Sequence, residues 1–202
     1  MREERKVLDV SGLPRVVFDH HNLLWWGTLG FIVIEGFTLV LMVASHFYLR
    51  INEYDWPPGR TPDPDLLIPT INVVILLATI FPMRMVEQAA RRFDRPTIAR
   101  WLLVAVAMSM ASTVLRWYEL QALNARWDAN AYASTAWGVV VLHSTLLVTD
   151  LFETGVFAIL FNRGPAQKKL YSDVTEAAFY QYFLSTSWMV LYFIIYWAPR
   201  IL

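Results

Sequence analysis

Apolar positions gather into five long stretches, at about residues 23–49, 66–86, 98–122, 134–161 and 177–197, separated by shorter polar ones. None of them shows the sustained alternation of apolar and polar residues that a membrane β-barrel strand requires. A bilayer core of about 30 Å takes roughly 20 helical residues at about 1.5 Å each, so every stretch is long enough to span it. Lipid offers the backbone no hydrogen-bond partners, and a span therefore closes its bonds within a helix. The pattern predicts an all-α, polytopic membrane bundle of five helices over residues 23–202, preceded by a polar tail over residues 1–22.

The polar stretches give that bundle a direction. Arg2, Arg5, Lys6 and Arg15 precede the first span, Arg84, Arg91, Arg92, Arg95 and Arg100 lie around the second connection, and Arg163, Lys168 and Lys169 around the fourth. These hold twelve of the 17 basic residues; Arg50, Arg60, Arg116, Arg126 and Arg200 belong to the opposite side. Basic loops stay in the cytoplasm, which places the N-terminus inside and the C-terminus outside. The charged N-terminus has no short apolar segment ending in a cleavage site, so the first span is expected to act as its own insertion signal. The proline-rich run from Trp56 to Asp65 is expected to cap the outer surface.

Composition agrees with a membrane class: 56% of residues are hydrophobic, against about 45–50% in soluble domains. A net charge of zero gives no sign of a nucleic-acid partner. The absence of cysteine excludes disulfides, thiolate metal sites and cysteine-held iron–sulfur clusters from this chain.

Polar residues inside the spans are the candidate chemistry. Glu35 lies near the middle of the first span, where an ionisable group costs at least about 2.5–3.5 kcal/mol and therefore has a partner, a proton or a function. It is read either as a proton-relaying or ligating acid, or as an internal brace. Gly27, Gly30 and Gly36 around it predict a close helix contact. His143, in the fourth span, is expected at a similar depth, and a contact between Glu35 and His143, direct or through water, is predicted. Asp150 and Glu153 continue one face of the same helix toward the inner surface, as a water path or as bonds to neighbouring helices. Arg116 and Glu119, three residues apart in the third span, predict a structural ion pair. The other imidazoles, His20, His21 and His46, are poorly spaced for a bis-histidine haem or a multi-histidine metal site. Trp25, Trp26, Trp117, Tyr118, Tyr196 and Trp197 are expected in interfacial belts.

In chain order these residues resemble subunit III of the haem–copper (cytochrome c) oxidases. Trp25-Trp26-Gly27, the central Glu35-Gly36 and Tyr48-Leu49-Arg50 are similar to that family's third helix. Trp56-Pro57-Pro58, then Pro69-Thr70-Ile71-Asn72 and Ile75-Leu76-Leu77, resemble the start of its next helix. Glu119, Asp128, Tyr132, Ser134 and His143 follow the family's spacing, and Glu176-Ala177-Ala178, Tyr180, Phe183, Trp188, Leu191-Tyr192 and Ile195-Tyr196-Trp197 its closing helix. The likeness runs from Trp25 to Trp197.

The resemblance implies a subunit without haem, copper or other cofactor of its own. Its partners would be oxidase subunit I, which carries the haem and copper, subunit II and small subunits, in a bacterial inner membrane. It would brace the catalytic subunit, hold phospholipids and support proton uptake; Trp25, Trp26, Gly27, Gly30 and Arg50 are candidate lipid or subunit contacts. The common form has two further helices before the first one here. A second histidine of the family is Leu146, and residues commonly histidine and aspartate are Tyr182 and Ser185, so roles resting on those side chains do not transfer. Alternatives are the related accessory subunit of a nitric oxide reductase, or an independent membrane enzyme or transporter.

Overall fold

The computed structural model describes residues 16–164 and 167–201. Most of the tail, including Arg2, Arg5, Lys6 and Arg15, lies outside the described residues. Most of the rest is helical, with five helices long and apolar enough to cross a membrane. They are α1 (Leu23–Ile51), the pair α2 (Leu67–Ala78) and α3 (Ile80–Arg91) forming one span, α4 (Arg95–Gln121), α5 (Ala131–Arg163), and α6 (Lys168–Tyr192), which continues through a π-helical turn to α7 (Ala198–Ile201). Five spans leave the ends on opposite sides, called here the N side and the C side.

Local chemistry sets the boundaries. Asn22, Asp94 and Asn130 each accept a hydrogen bond from a backbone N–H in the first turn that follows, capping α1, α4 and α5. Pro82 has no N–H to give the carbonyl of Ala78, and the second span breaks nearby, at Thr79. Thr79 Oγ1 donates instead to the Leu76 carbonyl at 2.6 Å. Arg95 closes the far end of α5 by donating to the carbonyls of Phe161 and Gly164, both at 2.8 Å.

Helices overrun the apolar stretches that announced them. α5 extends the fourth stretch at both ends, and α6 begins nine residues before the fifth. That early part of α6 is amphipathic: Tyr171, Val174 and Thr175 are buried while Lys168 and Lys169 are exposed. Average hydropathy registers only a polar loop there.

α4 packs against α3 and α5, and α6 fits against α3 and α5. The C-side core gathers Leu76, Tyr132, Val140, Leu147, Trp188 and Ile195; the N-side core gathers Val86, Ile98, Leu102, Phe161 and Val174. α1 leans on α5 and α6 and is the least enclosed span: 6% of its most apolar 18 residues are buried, against 33–44% in the others. One tight approach pins it, where a Cβ on Gly138 of α5 would come within 2.6 Å of the Met42 side chain.

Candidate functional site

Two polar regions lie inside the bundle. In the C-side half, Arg116 Nη1 donates to Glu119 Oε2 at 2.7 Å, and Asn72 Nδ2 donates to the same oxygen at 2.8 Å. Ser112 Oγ donates to Asn72 Oδ1 at 2.7 Å. Arg116 Nη2 reaches His143 Nδ1 at 3.1 Å, and His143 Nε2 reaches the Leu184 carbonyl at 3.0 Å. A guanidinium can only donate and a carbonyl can only accept, so these contacts select the neutral imidazole with its proton on Nε2. The Arg116 guanidinium lies 3.4 Å from the ring centre of Trp188. Stacking on one face and bonding in the plane both suit arginine better than lysine. Asn72, Ser112, Glu119 and His143 are fully buried, and the network joins α2, α4, α5 and α6.

The N-side region is built differently. Tyr180 donates through its hydroxyl to Glu35 Oε2 at 2.5 Å, tying α6 to α1. A groove of about 290 Å³ opens beside this pair, lined among others by Thr28, Glu35, Thr149, Glu153, Glu176 and Tyr180. Among the described residues no basic side chain lines it. Glu176 is 4% exposed, yet its Oε2 has no hydrogen-bond partner among the described residues. Asp150 is 1% exposed, and neither of its oxygens is bonded within the described chain; Thr154 Oγ1, one turn further, is in the same condition.

Glu176 also borders a smaller pocket on the N side that reaches Asp19, Glu87, Arg91 and Tyr182. There Arg91 donates to both oxygens of Asp19, at 2.9 and 2.6 Å, and to Glu87 at 3.0 Å. The Arg91 hydrogen bonds hold the Asp19 carboxyl below its usual range. Tyr182 OH donates to Glu87 Oε2 at 3.0 Å.

Glu35 and His143 make no direct contact. His143 is engaged by Arg116 and the Leu184 carbonyl, and Glu35 by Tyr180. Twelve residues separate each from the start of its own helix, which puts Glu35 roughly 18 Å in from the N-side end and His143 roughly 18 Å in from the C-side end. α5 is 33 residues long, about 50 Å, so these equal depths do not coincide. Thr149 and Glu153 share the groove with Glu35 instead.

Other expectations divide. Arg116 and Glu119 form their ion pair, inside the bundle rather than at its rim. Gly27 and Gly30 make no close helix contact, because a Cβ on either would meet nothing within 4 Å; Gly36 packs against Phe183 at 3.6 Å. Trp25 stacks on Phe179, Trp26 is exposed, and Arg50 sits in a shallow pocket at the C-side end of α1. Tyr196 is core rather than belt, fully buried with its hydroxyl 3.3 Å from the Glu119 carbonyl. His46 Nδ1 lies 2.8 Å from Thr135 Oγ1 and its ring packs against Trp56.

Sequence reasoning did not single out Ser112, nor the cluster in which Gln181 Nε2 donates to Thr79 Oγ1 at 3.0 Å and Ser185 Oγ at 3.3 Å. Polar residues on otherwise apolar helices were the available signal. Among the described residues, no three or more His, Asp, Glu or Cys side chains converge as metal ligands.

No family model matches the chain. Individual proteins do. The chain is 24% identical over 195 residues to cytochrome c oxidase subunit 3 of Synechocystis sp., covering 94% of this chain and 83% of that protein. It is 24% identical over 183 residues to the protein of that name from Thermostichus vulcanus, covering 90% of each. The Locusta migratoria protein of the same name is 26% identical over 192 residues, 86% of this chain and 68% of the insect one. The bundle, the acid near the middle of α1 and these matches along most of the chain agree: this multi-pass membrane protein is similar, at low identity, to proteins named cytochrome c oxidase subunit 3.

Proposed function

We propose that the chain is the cofactor-free subunit III of a proton-pumping haem–copper terminal oxidase in a bacterial inner membrane. The observation that carries this reading is the likeness to proteins named cytochrome c oxidase subunit 3 along 94% and 90% of the chain. The N side is the cytoplasmic side, on the bias of basic residues. Subunit I is the main partner, with subunit II and small subunits beside it. In this reading the C-side network keeps four helices in register, so that the bundle offers subunit I a fixed surface. The N-side groove gathers carboxyl groups in an apolar setting without a basic side chain among the described residues, and such intramembrane acids mark proton routes. Glu35, oriented by Tyr180, would end a route that starts at the N-side surface near Glu176, and phospholipid would cover the exposed flank of α1.

The test is to tag the chain in its native membrane, purify it in mild detergent and record the spectrum and turnover of what accompanies it. Haem–copper absorbance together with oxygen reduction supports the proposal. A partner with nitric oxide reductase activity and no copper, or an isolated chain with turnover of its own, overturns it.

A further inference from the structure

The short segment before α1 is tied down on two sides. Asp19, His20 and His21 form a 3-10 turn, and Asp19 takes up left-handed backbone at φ 59°. That region costs any residue with a Cβ conformational energy, though least for aspartate and asparagine, so contacts outside the turn must hold it there. Arg91, the last residue of α3, supplies the hold. Besides gripping both Asp19 oxygens, its guanidinium carbon lies 5.7 Å from the centre of the Phe18 ring, which meets Phe93 edge-on at 6.1 Å. On the α1 side, Trp26 Nε1 donates to the His20 carbonyl at 3.0 Å. Residues 18–22 thus run as a strap between the end of α3 and the start of α1.

Beside the strap is the smaller N-side pocket, about 80 Å³, which has room for roughly two or three water molecules at about 30 Å³ each. Asp19, Glu87, Arg91, Thr175, Glu176 and Tyr182 give it a polar lining. Asp19 and Arg91 are its half-exposed side, whereas Thr175 and Glu176 are buried. Among the described residues, Glu176 alone lines both this pocket and the groove that holds Glu35 and Glu153. The strap therefore stands between N-side solvent and the carboxyl that separates the two spaces.

A half-exposed ion pair is a weak fastening, and a weak fastening over a polar pocket is one that opens. We propose that residues 18–22 are a releasable strap over a water site. Latched by Arg91, the strap keeps that water apart from N-side solvent; released, it joins the two and wets Glu176. The inference rests on the strap and the pocket and needs no oxidase partner, so it stands or falls separately from the functional reading.

The chain has no cysteine, so a single introduced thiol reports alone. Thr175→Cys, in the pocket wall, is made in the full-length chain in lipid nanodiscs, and its reaction with a charged, membrane-impermeant methanethiosulfonate is followed by mass spectrometry. With the strap latched, the reaction is slow beside that of Lys168→Cys at the exposed start of α6. Arg91→Gln removes the ion pairs and the contact over Phe18 and speeds the reaction about fivefold. Asp19→Asn, which loses the charge but can still accept a hydrogen bond, speeds it about twofold. The two together are no faster than Arg91→Gln alone, because they release one latch. Ser109→Cys, buried in α4, keeps its rate in every background. Phe179→Cys, in the same pocket, takes the place of Thr175→Cys if that variant fails to accumulate. The proposal is overturned if the pocket thiol already reacts as fast as the exposed one, or if Arg91→Gln leaves its rate unchanged. It is also overturned if Ser109→Cys accelerates in step, for then the whole bundle has loosened.

Discussion

Buried acids occur in both halves of this bundle, but they are held in opposite ways. Glu119, on the C side, takes bonds from an arginine and an asparagine through one oxygen and shares its arginine with a histidine. Asp150, on the N side, is as deeply buried and has no partner within the described chain. Glu176 stands between these cases, almost buried but bordering a cavity. A charged group with its counter-charge in place resists removal of either member, whereas an acid without one depends on a proton or on something from outside. The C-side half is thus a charge-paired brace, although Arg116 Nε and Glu119 Oε1 are unbonded within the described chain, and the N-side half holds acids without a counter-charge there.

The sharpest way to break that contrast is to remove Glu119. Glu119→Ala leaves Arg116 buried and unpaired, and the expected loss is about 3–5 kcal/mol in denaturant unfolding of the purified chain. Replacing the pair together, Arg116→Met with Glu119→Leu, should recover most of it. A loss from the single variant no larger than about 1 kcal/mol would mean that water reaches the pair and screens it.

On the N side, Tyr180→Phe deletes one interhelical hydrogen bond, and such bonds within membranes are worth about 0.6 kcal/mol on average. Stability should therefore fall by less than about 1 kcal/mol, and Glu35→Gln, which can still accept from Tyr180, should leave assembly intact. Failure of Glu35→Gln to assemble would show that the bond needs an ionised carboxylate, and would make the two halves alike.

Asp150→Asn tests the other extreme. With no partner to lose, the variant is expected to cost less than Glu119→Ala by the same unfolding measurement, and no more than the roughly 1–3 kcal/mol of one buried unpaired polar group. A loss as large as that from Glu119→Ala would place a partner beside Asp150 and end the contrast. The smallest effect belongs to the N-side surface. The folded-state depression of Asp19 stabilises the chain above the ordinary aspartate range, and that contribution fades as pH falls below about 4 through its folded-state value. The pair with Arg91 is half-exposed, so the change amounts to a few tenths of a kcal/mol at most. Asp19→Asn should remove it from the acid unfolding profile.

The five spans were legible because hydrophobic length is read directly from the sequence, and the Arg116–Glu119 pair because three residues bring two side chains to one helical face. The direct Glu35–His143 contact failed for a geometric reason. Depth along a helix follows from residue counts, but the direction in which a side chain faces, and the level of a helix relative to its neighbours, follow from packing. α5 begins at Ala131 rather than at residue 134, and its Asp150–Glu153 turn, not His143, lies beside Glu35. Two family departures acquire local roles that no residue count discloses: Tyr182 donates to Glu87, and Ser185 shares a cluster with Thr79 and Gln181. The glycines misled because a missing side chain marks close packing, as at Gly138, or empty space, as at Gly27 and Gly155, and sequence does not separate the two.

The sparse attachment of α1 has a consequence for biosynthesis. Its supports are α5 and α6, so the first span made here waits for those made last. Tyr180 follows Glu35 by 145 residues, which a ribosome adds in roughly 7 to 30 s at about 5–20 residues per second. Throughout that interval Glu35 sits in the newborn membrane segment without its tyrosine. The surface of α1 must therefore tolerate lipid alone before it tolerates a neighbour, and its long run of exposed Phe31, Val33, Ile34, Phe37, Val40 and Leu41 suits a helix that is inserted early and docked late.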